Sequence, residues 1–201
     1  MTLGTHTLSQ LLDDLAAKQP TPGGGAVAGV LLALSTALGN MVLAYSCKKS
    51  LEEHHALHAD CMRFLLASKD EAIELGDADA AAYEKVSVLW KLPEDDETRI
   101  EQWDSALSDA IQIPLQTMEL SQRILITLKT LHDKTNTMLS SDLAIAAILA
   151  EASSRAAYWN VRINTSQMTD DTQKTTLNER AETILNSCKE IAEFVESSCS
   201  V

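Results

Sequence analysis

The run QPTPGGGAVAGVLLALSTALGNMVLAYSC, residues 19–47, decides how this chain folds. No residue in it carries a charge, and Ala26 to Tyr45 is long enough to cross a bilayer. Ser35, Thr36, Asn40 and the glycines dilute it, however. Gly29, Ala33 and Ala37 form a stripe of small residues at helical spacing, which permits close helix contact in water or lipid. The central helix of a bundle is apolar all round in the same way. Because the remaining segments are amphipathic, we expect a bundle helix here and no membrane partner.

Outward from this run the helical signals continue. A short helix is predicted from about Thr7 to Lys18, with Thr7 as cap, and the prolines and glycines of Gln19–Gly25 break it. Another begins near Ser50 with Glu52 and Glu53 in its first turn, where the macrodipole favours acids. Leu57, Cys61, Phe64, Leu65 and Ser68 recur in it at helical spacing. Gly76 is expected to interrupt it before a segment from Asp77 to Trp90, and residues 92–96 read as a turn. A long helix from about Glu97 to Leu131 contains Pro114, which should kink it. Ser140-Ser141-Asp142 opens a helix to about Asn160, and Asp170 or Asp171 caps a last one to Val195. No period-two strand pattern lies between these signals. The expected fold is all-α, an antiparallel bundle of six or seven helices in one domain over residues 1–201. A narrow polar face on several helices predicts a homodimer.

Composition agrees. Alanine and leucine are abundant and only 4% of residues are aromatic, a balance that favours helices. A net charge of −13 argues against a nucleic-acid partner and an anionic membrane surface, both of which require clustered Lys and Arg. The four cysteines show no paired spacing, and no basic-then-apolar leader opens the chain. Reduced thiols in the cytoplasm are therefore expected.

Several motifs can hold chemistry. Pro20-Thr-Pro22-Gly23-Gly24-Gly25 exposes backbone N–H groups at a helix start, where the dipole invites an anion or carbonyl. It is neither a Walker loop nor a Rossmann fingerprint. Asp79 and Tyr83 share one helix face, and a carboxylate beside Ala80–Ala82 can have its pKa raised for proton transfer. Asp77 or Asp79 equally serves as a helix cap after Gly76, and spacing alone favours the cap. Asn136 and Asp142 leave the same choice between cap and cleft. Asn160 and Asn164, four apart with Arg162 between them, can read the polar edge of a heterocycle or simply finish a helix. His54, His58 and Cys61 lie on one stripe but find no second cluster, so no metal is expected.

The order of these motifs is more specific than any one of them. PTPGGGAVAG, Lys48-Lys49, DADAAAY, Leu92-Pro93, Pro114-Leu115, the Asn136 to Asp142 spacing and NVRIN together resemble the cyclodeaminase domain of the formiminotransferase-cyclodeaminases. They also resemble the stand-alone methenyltetrahydrofolate cyclohydrolases of the same family. The resemblance implies a helical dimer whose substrate is a tetrahydrofolate derivative, bound near the glycine loop. Carried over by position, Pro22, Gly23, Gly24 and Gly25 form the ligand loop. Asp79, Asn136, Asp142, Asn160 and Asn164 line the pocket, and Lys49 meets the glutamate tail. Asp142 or Asp79 is the proton-transfer carboxylate. Where the family usually has serine after the third glycine, this chain has Ala26. The expected activity is cyclodeamination of formiminotetrahydrofolate or cyclohydrolysis of methenyltetrahydrofolate; the alternative is a folate-binding or subunit-interaction module without turnover.

Overall fold

The structure, a computed structural model, describes residues 2–199. Six α-helices account for most of them, with no strand among the described residues. Helix α1 (Leu8–Ala16) starts at Thr7, whose hydroxyl accepts the Gln10 N–H while the Gln10 side chain accepts the Thr7 N–H. That reciprocal pair satisfies two donors a helix start otherwise leaves open. Helix α2 (Gly24–Ala44) is the uncharged run. A 3-10 turn (Lys49–His54) leads into α3 (His55–Trp90), and Asp96 caps α4 (Glu97–Thr130). Asn136 caps a short 3-10 turn (Thr137–Leu139) ahead of α5 (Ser140–Thr165), and Asp170, not Asp171, caps α6 (Asp171–Ser198).

Neighbouring helices alternate in direction, and side-chain hydrogen bonds fix their register. The Ser35 hydroxyl donates to the Ala146 carbonyl at 2.7 Å, and Ser153 donates to the Ala28 carbonyl at 2.8 Å. Helices α2 and α5 are therefore antiparallel. Lys85 meets Asp109 and Arg123 meets Glu71, which sets α3 antiparallel to α4. Leu32, Leu43, Leu65, Met118, Ile124, Leu125 and Leu128 fill the middle with essentially no exposure. By length and composition α2 qualifies as a membrane span; here it lies against α3 and α5, with one side left open.

Helix α3 runs unbroken through Gly76, contrary to the expected interruption. The glycine serves close approach instead. A side-chain carbon at Gly29 would stand 2.6 Å from the Ala72 carbonyl oxygen and 3.0 Å from Gly76 Cα. The α2 and α3 backbones thus touch at this crossing, as small residues allow. Pro114 lies buried inside α4, which continues past it.

Gly29→Ala tests the crossing. Helix propensity alone would stabilise the change by roughly 1 kcal/mol, but the new methyl meets backbone atoms that cannot rotate away. Overpacking of this kind costs about 1–3 kcal/mol. We expect a lower thermal midpoint than wild type in a circular-dichroism melt; an unchanged or higher midpoint would contradict the contact.

Candidate functional site

Three glycines open α2 without a capping side chain. The first donor of the helix with a backbone partner is Val27, whose N–H donates to the Gly23 carbonyl at 3.1 Å. The amides of Gly24 and Gly25 thus stay without a helical partner at the positive end of a 21-residue helix. In front of them is a cleft of about 300 Å³, formed where α2 begins and where α3, α4 and α5 pass. Its walls include Gly23, Gly24, Gly25, Asp79, Tyr83, Asn160 and Asn164. A larger open groove of about 870 Å³ adjoins it across Pro20, flanked by Glu84, Lys85, Lys91, Glu101 and Asp109. That groove has a charged rim over an apolar floor and holds no unpaired buried polar group, so the smaller cleft is the candidate site.

Asp79 is its central group. Its carboxylate occupies the position a Gly25 side chain would take, so any larger residue there would have to displace Asp79. Because α3 is continuous, Asp79 caps nothing, whereas Asp77 accepts the Leu3 N–H at 2.8 Å. Burial pushes the Asp79 carboxyl up to about 6. Across the cleft, the Asn160 Oδ1 comes within 3.6 Å of where a Gly24 Cβ would be, and its buried Nδ2 has no partner. A buried amide donor without an acceptor is costly unless a ligand completes it.

Asn164 is held differently. Pro114 has no N–H to give to the carbonyl four residues back, and the Asn164 Nδ2 donates to that Ala110 carbonyl at 2.6 Å. The proline inside α4 thereby fixes an amide on α5 and leaves its oxygen for a guest.

Other expected residues lie elsewhere. Pro22 stays behind the loop, and Pro20 and Thr21 line the cleft in its place. Arg162 is two positions from Asn160 and so lies on another side of α5, exposed over the Tyr158 ring. Lys49, Asn136 and Asp142 gather at the far end. Asn136 caps its own turn, and its N–H donates to Ser46 Oγ just beyond the C-terminus of α2. Asp142 sits 18 residues from Asn160 on α5, about 27 Å along the axis. Lys49 follows the other end of α2, about 30 Å from Gly24. One protomer therefore cannot bring these three to the glycine cleft. Ala26 is fully buried beside Gly76 and lines nothing, so a missing hydroxyl there takes no group from the walls. His58 is buried with Nε2 on the Lys134 carbonyl at 2.6 Å. Val86 and Trp90 line the cleft as well; with Asp79 and Tyr83 they form one helical stripe that the spacing already contained.

The sequence model of the formiminotransferase-cyclodeaminase family matches residues 7–183. The formimidoyltransferase-cyclodeaminase of Gallus gallus is 29% identical over 194 residues, which is 94% of this chain and 36% of the relative. A methenyltetrahydrofolate cyclohydrolase of Methylorubrum extorquens is 30% identical over 179 residues, 83% of each chain. The crystal structure of a formiminotetrahydrofolate cyclodeaminase from Thermotoga maritima superposes with a TM-score of 0.89 at 26% identity, covering 97% of this chain and 96% of that one. The chain thus spans about a third of the length of the bifunctional animal relatives it matches.

Two measurements follow from the geometry. Asp79 titrates near 3.9 when unfolded and near 6 in the fold. Ionising it inside the fold costs about 3 kcal/mol. That penalty is fully present above pH 7, shrinks as pH falls through 6, and is gone below the unfolded value. Asp79→Asn should raise the melting temperature by roughly 5–10 °C at pH 8 and little at pH 4; an equal gap at both would refute the burial effect. Pro114→Ala restores an N–H that competes for the Ala110 carbonyl. Ligand affinity measured by calorimetry should then fall about tenfold, the loss of roughly one hydrogen bond, without loss of thermal stability. Unchanged affinity would show that Asn164 does not depend on the proline.

Proposed function

The chain belongs to the formiminotransferase-cyclodeaminase family, and on that premise we propose that it acts on a tetrahydrofolate bearing one carbon at N5. The reaction is either cyclodeamination of formiminotetrahydrofolate or cyclohydrolysis of methenyltetrahydrofolate. The observation that supports this most is a single carboxyl, Asp79, lodged on a bare helix tip opposite an unpaired amide. The amides of α2 and Asn160 hold the polar edge of the ring, and Tyr83 and Trp90 cover its flat face.

Both reactions pass through a tetrahedral carbon between nitrogens. In cyclodeamination the substrate's own second nitrogen attacks the carbon of the protonated formimino group and loses its proton. The former imino nitrogen, now an amine, takes that proton and leaves as ammonia, and the methenyl cation remains. A carboxylate near pH 6 can take the first proton and return it to the leaving nitrogen. Attack is intramolecular, so holding the two nitrogens at reacting distance contributes much of the rate. In cyclohydrolysis the same carboxylate draws a proton from the water that adds to the cationic bridge. We further propose a cytoplasmic homodimer, supported by four thiols that remain unpaired and an open apolar side on α2.

Methenyltetrahydrofolate absorbance reports both directions. Wild type should turn over one of the two substrates, with kcat/KM rising through an inflection near pH 6 as Asp79 ionises. Asp79→Asn should lower kcat by about 100-fold or more. A folded wild type that turns over neither substrate would refute the enzymatic reading, and calorimetry showing binding without turnover would select a folate-binding module.

A further inference from the structure

Helix α3 ends on Trp90, and this last residue forms one wall of the cleft. The packing beneath it is thin. The end of the bundle where α3 passes into α4 has its own small core of Ala82, Val86, Leu89, Ala106 and Ala110, separate from the main one. Three of these five are alanines, which bury little area and leave the helix end dependent on larger neighbours. The open groove of about 870 Å³ runs along the same pair of helices, so the contact between them is narrow. Helix ends are also where a fold opens most readily.

One large side chain bridges the two cores. Trp103 of α4 packs against both. Its ring centroid is 6.1 Å from that of Trp90, with the planes tilted by 54°, a separation at which aromatic pairs attract. Arg99 stands four residues before Trp103 and so on the same face of α4. Its guanidinium carbon is 5.2 Å from the Trp103 ring centre, close enough for a cation–π contact. From Nη1 the same guanidinium donates to the Leu92 carbonyl at 2.8 Å, just past the end of α3. The series Arg99, Trp103, Trp90 thus runs from the turn between the helices to the cleft wall. Neither Arg99 nor Trp103 lines the cleft.

We propose that Trp103 and Arg99 are positioning residues which, without touching the guest, hold the Trp90 indole as a fixed wall for its ring. A wall fixed in advance spares the complex the entropy of ordering that side chain on binding. The binding and kinetic readouts rest on the folate reading above; the spectroscopic ones rest on the indole pair alone.

The chain has three tryptophans, so Trp159→Phe leaves the pair by itself. Two indoles this close give an exciton couplet in far-ultraviolet circular dichroism, which Trp103→Phe should abolish. Trp103→Leu in the same background leaves Trp90 as the sole indole. Acrylamide should quench it more than in Trp103→Phe, which keeps a ring in contact. By calorimetry with 5-formyltetrahydrofolate, Trp103→Leu should bind about fivefold more weakly than wild type, and Arg99→Met about twofold. KM should rise with Kd, while kcat and the inflection near pH 6 in kcat/KM stay in place because Asp79 is untouched. Trp103→Phe should recover most of the affinity. Adding Trp103→Leu to Trp90→Ala should cost nothing further, since the two act as a unit. A wild type without the couplet, an unchanged affinity in Trp103→Leu, or an equal loss with and without the Trp90 indole would overturn the proposal. If Trp103→Leu fails to fold, Arg99→Met carries the same comparisons. A wild type that binds no 5-formyltetrahydrofolate would refute the folate reading, and the couplet and quenching then decide whether Trp103 holds Trp90.

Discussion

Backbone touches backbone where α2 crosses α3, at Gly29, Ala72 and Gly76. This contact sets how near the tip of α2 comes to the residue one turn further along α3. Four residues back from Gly29, and three on from Gly76, the same close approach puts the Asp79 carboxylate directly on Gly25. A bulkier crossing would move the helices apart and leave that carboxylate in water, with an ordinary affinity for its proton. The small residues in the sequence thus act on chemistry as well as on packing.

The cleft is a place where hydrogen bonds have been left unmade. Helix-tip amides, the Asp79 carboxyl and the Asn160 amide lack partners here, as do buried atoms of Asn40, His58, Ser68 and Ser154 elsewhere. Among the described residues, only in the cleft do several of them face one open space. Ser35, Ser153 and Thr165 tie polar atoms across the helices. Each unmade bond costs stability in the empty protein and favours a ligand that supplies the missing group. Pro114 belongs to this arrangement although it is buried in α4: by withholding one N–H it frees the carbonyl that orients Asn164.

Much of this was legible in the sequence. The uncharged run, the capping signals at Thr7 and at Asp170 or Asp171, and the absence of alternation were enough for an antiparallel bundle of six or seven helices; the continuous α3 makes it six. The three glycines mark the helix tip, and the i, i+4 spacing puts Asp79 with Tyr83 and Asn160 with Asn164 on common faces, but it was the family resemblance, not the spacing, that grouped them in one pocket. Asn136, Asp142 and Lys49 were grouped with them wrongly for a single chain, because motif order along a sequence does not say which end of an up-and-down bundle each motif reaches. Counting turns would have shown it: Asp142 and Asn160 stand at opposite ends of one helix. The break expected at Gly76 failed because glycine's low helix propensity was weighed without the close helix crossing that requires it. Trp90 and Val86 went unnoticed beside Tyr83 although they continue its stripe, since aromatic residues at helical spacing usually face a core.

Function in this fold depends on the helix tip and Asp79 being the seat of the ligand. A crystal structure with 5-formyltetrahydrofolate, a stable analogue of the N5-substituted substrates, tests this directly. The expected result is the ring lying against Gly23–Gly25 with its polar edge on Asp79 and the Asn160 amide. A ring bound in the open groove between Lys85 and Glu101, with the glycine cleft empty, would contradict a ligand seat at the helix tip.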